Sequence, residues 1–272
     1  MSIIKQIIVP NAPLLSSPST KLSLVSEGVF GEFFNIITEN SNWTYGYLKN
    51  DNYRGWVLSS NLGSRIIPSH RVITSSSLIL EEPNVKSNLI YIVPIGSFIR
   101  VVKDIDGWCE IQLLLNNKIS KGYCPSRHLL SIKENLNNWS DLKKIMLTML
   151  GTPYLWGGKT NFGSDCSGIL QNLLYLIGLS IPRDTHQQIE FFNKSSCFIE
   201  IKFNNNFPYY DEIIKGDIIF WEGHVGIMFD KKKLFHANSF HMNTSIEPLK
   251  TTIKRFNNQK IRLLKIFRYL KY

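Results

Sequence analysis

Cysteine is scarce in this chain. Its 272 residues hold four, Cys109, Cys124, Cys166 and Cys197, and no two form a Cys-x-x-Cys pair. That spacing argues against a disulfide scaffold and fits a reducing compartment in which Cys109 and Cys124, expected on one sheet, stay buried free thiols. Long apolar runs are missing as well: no stretch reaches the ~20 residues needed to cross a bilayer as a helix. The opening residues, MSIIKQIIVPNAPLLSSPS, place Lys5 inside a short apolar run and Pro10 directly after it. They lack the uncharged core and small-residue cleavage site of an export signal, so the expectation is a cytoplasmic protein with no membrane partner.

Acidic residues are outnumbered by 31 Lys and Arg to 21 Asp and Glu, a net charge of +10. From Lys250 to Tyr272 there are eight basic residues and no acidic one. Such a segment either attracts an anionic partner or forms a solvated face. No nucleic-acid motif accompanies it, and Ile261, Leu263, Ile266 and Tyr269 are spaced to face a core. The expectation is a terminal strand pair and no nucleic-acid partner.

What the chain does hold is one cysteine placed where a nucleophile belongs. After Cys166 the residues Ile169, Leu170, Leu173, Leu174 and Ile177 fall at helical spacing, with Ser164 or Asp165 as N-cap and Gly178 as stop. Cys166 then sits in the first turn, where free N–H groups favour a thiolate and can hold an oxyanion. A base is offered by Lys215 to Asn238, read as two apolar strands joined at Asp230 to Lys233. With residues 229–233 as a five-residue loop, His224 and His236 become diagonal neighbours on one face. Nucleophile, base and orienter are then Cys166, His224 and His236. The rival readings are an inert buried thiol and core histidines. The three follow no local zinc spacing, and no metal or organic cofactor is expected. His186 and His241 read as surface residues and Asp217 as a turn cap.

The blocks Tyr154-x-Trp156-Gly157-Gly158, Asp165-Cys166-Ser167-Gly168, Pro182-Arg183-Asp184, Gly216-Asp217, His224-Val225-Gly226-Ile227 and His236-Ala237 occur in that order. In this the chain resembles the NlpC/p60 cysteine peptidases of bacterial cell-wall peptides. The resemblance implies a papain-like fold, a Cys-His-His triad and a substrate with γ-D-glutamyl linkages.

Before residue 132 the chain repeats itself. Gly31 and Trp43 recur 65 residues later as Gly96 and Trp108, and Gly55 recurs 67 residues later as Gly122. Each copy alternates short strands with turn residues, the pattern of a small all-β barrel, and each resembles a bacterial SH3-like domain. The polar stretch Ser131 to Asn138 marks a break, after which Ser140 is placed to cap a helix through Leu150 with Leu142, Ile145, Met146 and Met149 inward. The expected fold class is α+β: a first barrel over residues 1–65, a second over 66–131, a linker over 132–138, and a papain-like NlpC/p60 domain over 139–272.

Two barrels ahead of such a domain resemble the γ-D-glutamyl-L-diamino acid endopeptidases of that family. In those enzymes the first barrel closes one end of the cleft, so that only peptides with a free N-terminal L-alanine fit. By matching positions the resemblance implies Asp165, Glu32 and Tyr53 as contacts to the substrate ammonium, with Tyr154 and Ser167 as further pocket residues. Thr185 stands where serine is expected. The rival reading makes Asp165 only a helix cap, and Glu32 and Tyr53 only barrel surface. The implied partner is a murein peptide, L-Ala-γ-D-Glu-diamino acid, and a monomer is the expectation. Three other readings stay open: an exported hydrolase of intact wall with the barrels as wall-binding modules, a non-catalytic wall-peptide binder, and an acyltransferase using the same three residues.

Overall fold

A computed structural model describes residues 3–19, 24–203 and 212–271; Met1, Ser2 and Tyr272, at the ends of the expected domain ranges, lie outside the described residues. The strands between Ile3 and Gly63 form one seven-stranded antiparallel sheet, and those between His70 and Ser131 form a second with the same strand order. The sequence repeat is therefore a structural one. Each barrel closes on alternating apolar residues, Ile7, Leu14, Phe34, Leu48 and Val57 in the first and Val72, Ile79, Val93, Ile99 and Ile111 in the second. Cys109 and Cys124 are free thiols and face each other across two adjacent strands of the second barrel.

The two barrels are pinned beside Gly31, the first of the repeated glycines. Gly31 and Gly96 both adopt positive φ, +79° and +78°. Phe98 N–H donates to the Phe30 carbonyl at 2.8 Å, and Phe30 itself enters the core of the second barrel. A Cβ on Gly31 would lie 2.0 Å from the Phe98 carbonyl oxygen, whereas one on Gly96 would meet only Asn172 Oδ1 at 3.7 Å. Both Gly→Ala changes carry the left-handed backbone cost, but only Gly31→Ala forces the barrels apart. Gly31→Ala is expected to lower stability in urea by about 2 kcal/mol more than Gly96→Ala; equal midpoints would remove this contact as a determinant.

The remainder is built on a six-stranded antiparallel sheet in the order Phe198–Glu200, Leu263–Tyr269, Ile218–Trp221, His224–Met228, Lys233–Asn238, Asn243–Pro248. Helix α1 (Trp139–Thr148), α2 (Cys166–Leu176), α3 (Thr185–Lys194) and α4 (Leu249–Asn258) pack around it. Helix α1 buries Leu142, Ile145 and Met146 as expected, but its cap is Asn138, whose side chain accepts from Asp141 N–H at 2.8 Å, not Ser140. Helix α2 is buried on nearly every side, and its C-terminal carbonyls are held from the second barrel. Arg71 donates to the carbonyls of Tyr175 at 2.7 Å and Leu176 at 3.2 Å, where the helix dipole favours a cation.

Two expectations change here. The stretch from Ile218 to Met228 is two strands, folded back at Glu222-Gly223 with Gly223 at φ +69°. The basic C-terminal segment is not a strand pair but α4 followed by one strand. Leu249, Ile253 and Phe256 lie at helical spacing and are buried, so an amphipathic helix lies under the lysines.

Candidate active site

Helix α2 presents Cys166 as its first residue. Asp165 is the N-cap, with Oδ1 accepting from Gly168 N–H at 2.8 Å and Oδ2 from Gly157 N–H at 2.8 Å. The same carboxylate takes a forked pair of hydrogen bonds from Arg183, at 2.8 and 2.7 Å. Ser167 Oγ completes the cluster, donating to Asp165 at 3.1 Å and accepting from Arg183 at 2.8 Å. Planar guanidinium and carboxylate match here, which lets both charges stay buried.

The backbone N–H groups of Val225, the residue after His224, and of Ser167 act on the Cys166 thiol and favour its ionised form. Nucleophile candidate and base candidate thus arrive on adjoining segments, α2 and the strand His224–Met228. Burial pushes the Cys166 thiol up to about 12, and the Asp165 carboxylate adds to the effect, with Val225 N–H, Arg183 and Ser167 N–H opposing it. Desolvation therefore works against the thiolate that the helix N-terminus favours.

The assumed register of the histidines holds. Ile227 pairs with Phe235 and Met228 with Leu234, so His224 lies diagonal to His236, although the connection spans 229–232 and Lys233 already opens the next strand. Their rings meet at 2.8 Å, His224 Nε2 to His236 Nδ1. Burial holds His224 well below the ordinary histidine range, and the positive fields of His236 and Arg255 lower it further, so it is neutral near pH 7. His236 is fully buried and lowered for the same reason, with Glu247 opposing.

A cleft of about 310 Å³ opens at Cys166, lined by Asp165, Ser167, Thr185, Val25 and Tyr53 among others. Val25 and Tyr53 belong to the first barrel, which therefore forms one wall. The barrel is fixed there by Glu27, which accepts from Lys159 N–H at 2.8 Å, and by the approach of the Leu24 carbonyl to Gly157. Across Trp156 and Gly223 a second cavity of about 510 Å³ is lined by Tyr154, His224, Asn238 and Phe240. Tyr154 borders Cys166, and burial raises its phenol above the ordinary tyrosine range.

Glu32 does not reach this cleft. Its Oε2 accepts from Val29 N–H at 3.1 Å and from Lys159 Nζ at 3.4 Å, and it lines a separate cavity of about 30 Å³ with Asp51 and Gln171. A carboxylate this deeply buried is held by its lysine between barrel and catalytic unit. Asp184 stands in the cleft instead, although the residues read from the sequence did not include it. It occupies the N-cap position of α3 without capping a backbone N–H, and accepts from Tyr53 Oη at 3.4 Å. Burial and the Asp184 charge push Tyr53 up to about 12. The exposed His186 also lines this cleft, whereas His241 bonds Asn238 at 3.0 Å. Glu247 and Arg255, behind His236, were missed as well. The signal was the diagonal position of Glu247 from His236 on the next strand, since His236 pairs with Ser245.

Comparison with known proteins agrees with this architecture. The NlpC/P60 family matches residues 151–260, and the bacterial dipeptidyl-peptidase SH3 domain matches residues 14–62. Dipeptidyl-peptidase 6 of Lysinibacillus sphaericus is 26% identical over 85% of this chain and 86% of its own length. The γ-D-glutamyl-L-lysine dipeptidyl-peptidase of Bacillus subtilis is 34% identical, over 38% of this chain and 33% of that protein. A solved NlpC/P60 family protein from Bacillus cereus superposes with a TM-score of 0.77 at 18% identity, covering 98% of this chain and 100% of that one. The chain thus carries an NlpC/P60 domain over residues 151–260, behind a bacterial dipeptidyl-peptidase SH3 domain over residues 14–62.

Proposed function

We propose that the chain is a γ-D-glutamyl-L-diamino acid endopeptidase acting on released murein peptides that carry a free N-terminal L-alanine. The observation that carries this reading is the cleft at Cys166, which the first barrel walls off with Val25 and Tyr53. A cleft walled on one side by a second domain suits a short peptide with a free terminus better than a continuous wall strand. Asp165 has its oxygens engaged by Arg183, Ser167 and two backbone N–H groups. Asp184, beside Tyr53, is the carboxylate open to an ammonium group, and Ser167 and Thr185 border the same space.

In this reading Cys166 Sγ attacks the γ-carbonyl of D-glutamate and passes its proton to His224. The carbonyl oxygen gains charge beside the Cys166 backbone N–H and the Tyr154 hydroxyl. His224 then protonates the leaving amine of the diamino acid, which departs through the cavity lined by His224, Asn238 and Phe240. The thioester is hydrolysed by water activated at the same imidazole.

The test is release of diamino acid from L-Ala-γ-D-Glu-L-Lys, from the corresponding meso-diaminopimelate peptide, and from N-acetylated forms of both. Acetylation removes the ammonium and is expected to lower kcat/KM by on the order of 10²-fold, the scale for unpairing a buried charge contact. Equal rates on free and acetylated peptides would remove the barrel as a gate. Faster action on whole sacculi than on tripeptides would favour the wall-hydrolase reading.

A further inference from the structure

Three successive antiparallel strands carry His224, His236 and Glu247 on one face, each two residues off the position opposite its neighbour. The chain of contacts is continuous. His224 Nε2 lies 2.8 Å from His236 Nδ1, and His236 Nε2 lies 2.8 Å from Glu247 Oε1. Arg255, reaching back from α4, donates Nη1 to Glu247 Oε2 at 2.9 Å and Nη2 to Oε1. The guanidinium is itself stacked 4.3 Å over the Phe240 ring.

We infer that Glu247, locked by Arg255, is a positioning residue that fixes the tautomers of both histidines and so leaves the Nδ1 lone pair of His224 free to take the thiol proton. This inference rests on the reading of Cys166 and His224 as nucleophile and base. An ionised carboxylate only accepts hydrogen bonds, so His236 must carry its proton on Nε2. Neutral His236 then offers a lone pair at Nδ1, which requires the Nε2–H tautomer of His224. That leaves His224 Nδ1 unprotonated and able to take a proton. Burial works against the charged form of Glu247, yet the hydrogen bonds from Arg255 and His236 hold it below the ordinary carboxylate range.

The proton count closes at each step. When the thiol proton reaches His224 Nδ1, the imidazolium keeps its Nε2–H on His236, and the Glu247 charge, two bonds away, favours the cation. The charged groups acting on His224 are His236, Arg255 and Glu247, and those on His236 are Glu247, Arg255 and His241. Glu222 and Tyr154 line the same cavity, with Glu222 occupied by Arg262. Arg255 and Glu247 oppose each other in this field, so the carboxylate acts chiefly by selecting the tautomer.

The experiment uses the full chain and the variants Glu247→Gln and Glu247→Asp. In the glutamine variant with its oxygen at the Oε2 position, Arg255 keeps its Nη1 bond and loses the Nη2 bond, and the amide NH₂ faces His236 Nε2, which reverses both tautomers. Two-bond ¹H–¹⁵N spectra of the histidines are expected to show Nε2–H for His224 and His236 in the parent and Nδ1–H in Glu247→Gln. On L-Ala-γ-D-Glu-L-Lys, kcat is expected to fall about 10²-fold with KM within twofold, below the ~10⁴-fold known when the orienting carboxylate touches the base directly. The acid limb of kcat/KM should move to lower pH, because removing an anion that raises both histidines leaves Arg255 uncompensated. Glu247→Asp should recover part of the rate.

Unchanged tautomers, or a kcat within threefold of the parent, would overturn the inference. So would an acid limb that moves up toward 6.5 with kcat and KM falling together, the mark of a loosened and rehydrated site. If the parent does not cleave the tripeptide, the proposed function fails while the inference is still decided by the tautomers. Alkylation of Cys166 by iodoacetamide reads the same point, slowed in Glu247→Gln if the inference holds and unchanged if it does not.

Discussion

Exchange of Cys166 for alanine is expected to lower diamino acid release from L-Ala-γ-D-Glu-L-Lys by at least about 10⁴-fold, because no other group in the cleft can form the thioester. The loss should be confined to chemistry. Cys166 is 5% exposed, and removing its sulfur sacrifices the burial of one heavy atom, about 1 kcal/mol. The variant should therefore remain folded and still bind the tripeptide, which calorimetric titration would show. A variant that binds and also turns over at the parent rate would remove the nucleophile assignment.

Under the proposed function the same nucleophile and its base, His224, are expected to set the pH dependence of the parent. The base must be neutral to accept the thiol proton, and burial holds His224 well below its ordinary 6.5. The acid limb of kcat/KM is thus expected below pH 6.5, where a solvated histidine would already be protonated. Burial pushes the Cys166 thiol up to about 12, so in the proposed reaction the proton is expected to move to His224 during attack.

Much of this site was legible because its parts are local. Asp165 and Cys166 could be placed at a helix start from the apolar spacing that follows them, and the histidine register could be fixed by the apolar strands on either side of Asp230, with the connection one residue shorter than expected. The barrels were legible because Gly31 and Gly96 recur with their tryptophans. What the sequence concealed depends on burial and on partners distant along the chain. The protonation state of Cys166 turns on desolvation, which no motif encodes. Glu32 matched a substrate-contact position, yet only the fold shows it buried on Lys159 while Asp184 faces the cleft. Glu247 and Arg255 lie eleven and nineteen positions beyond His236 on a different strand and helix, and the density of lysines around Arg255 hid the apolar period of α4.

Arg183→Ala is expected to be the most destabilising single exchange in the catalytic unit. Arg183 is 1% exposed and supplies four hydrogen bonds: two to Asp165, one to Ser167 Oγ and one at 3.0 Å to the Gly158 carbonyl. Truncation leaves the Asp165 carboxylate buried without its counter-charge, a situation that costs about 3–5 kcal/mol. A fall in Tm of about 10 °C follows for a unit of this size. Arg183→Lys should fall between, since an ammonium cannot reproduce the planar fork. The double variant Arg183→Met with Asp165→Asn should lose less than Arg183→Ala, because neither charge then stays buried alone. Asp165 caps the helix that begins with Cys166 and bonds Gly157 in the opposite wall, so activity should decline in step with Tm in this series. An Arg183→Ala protein melting within 2 °C of the parent would show that water or a shifted backbone satisfies Asp165, and that the guanidinium is not what holds the start of α2 in place.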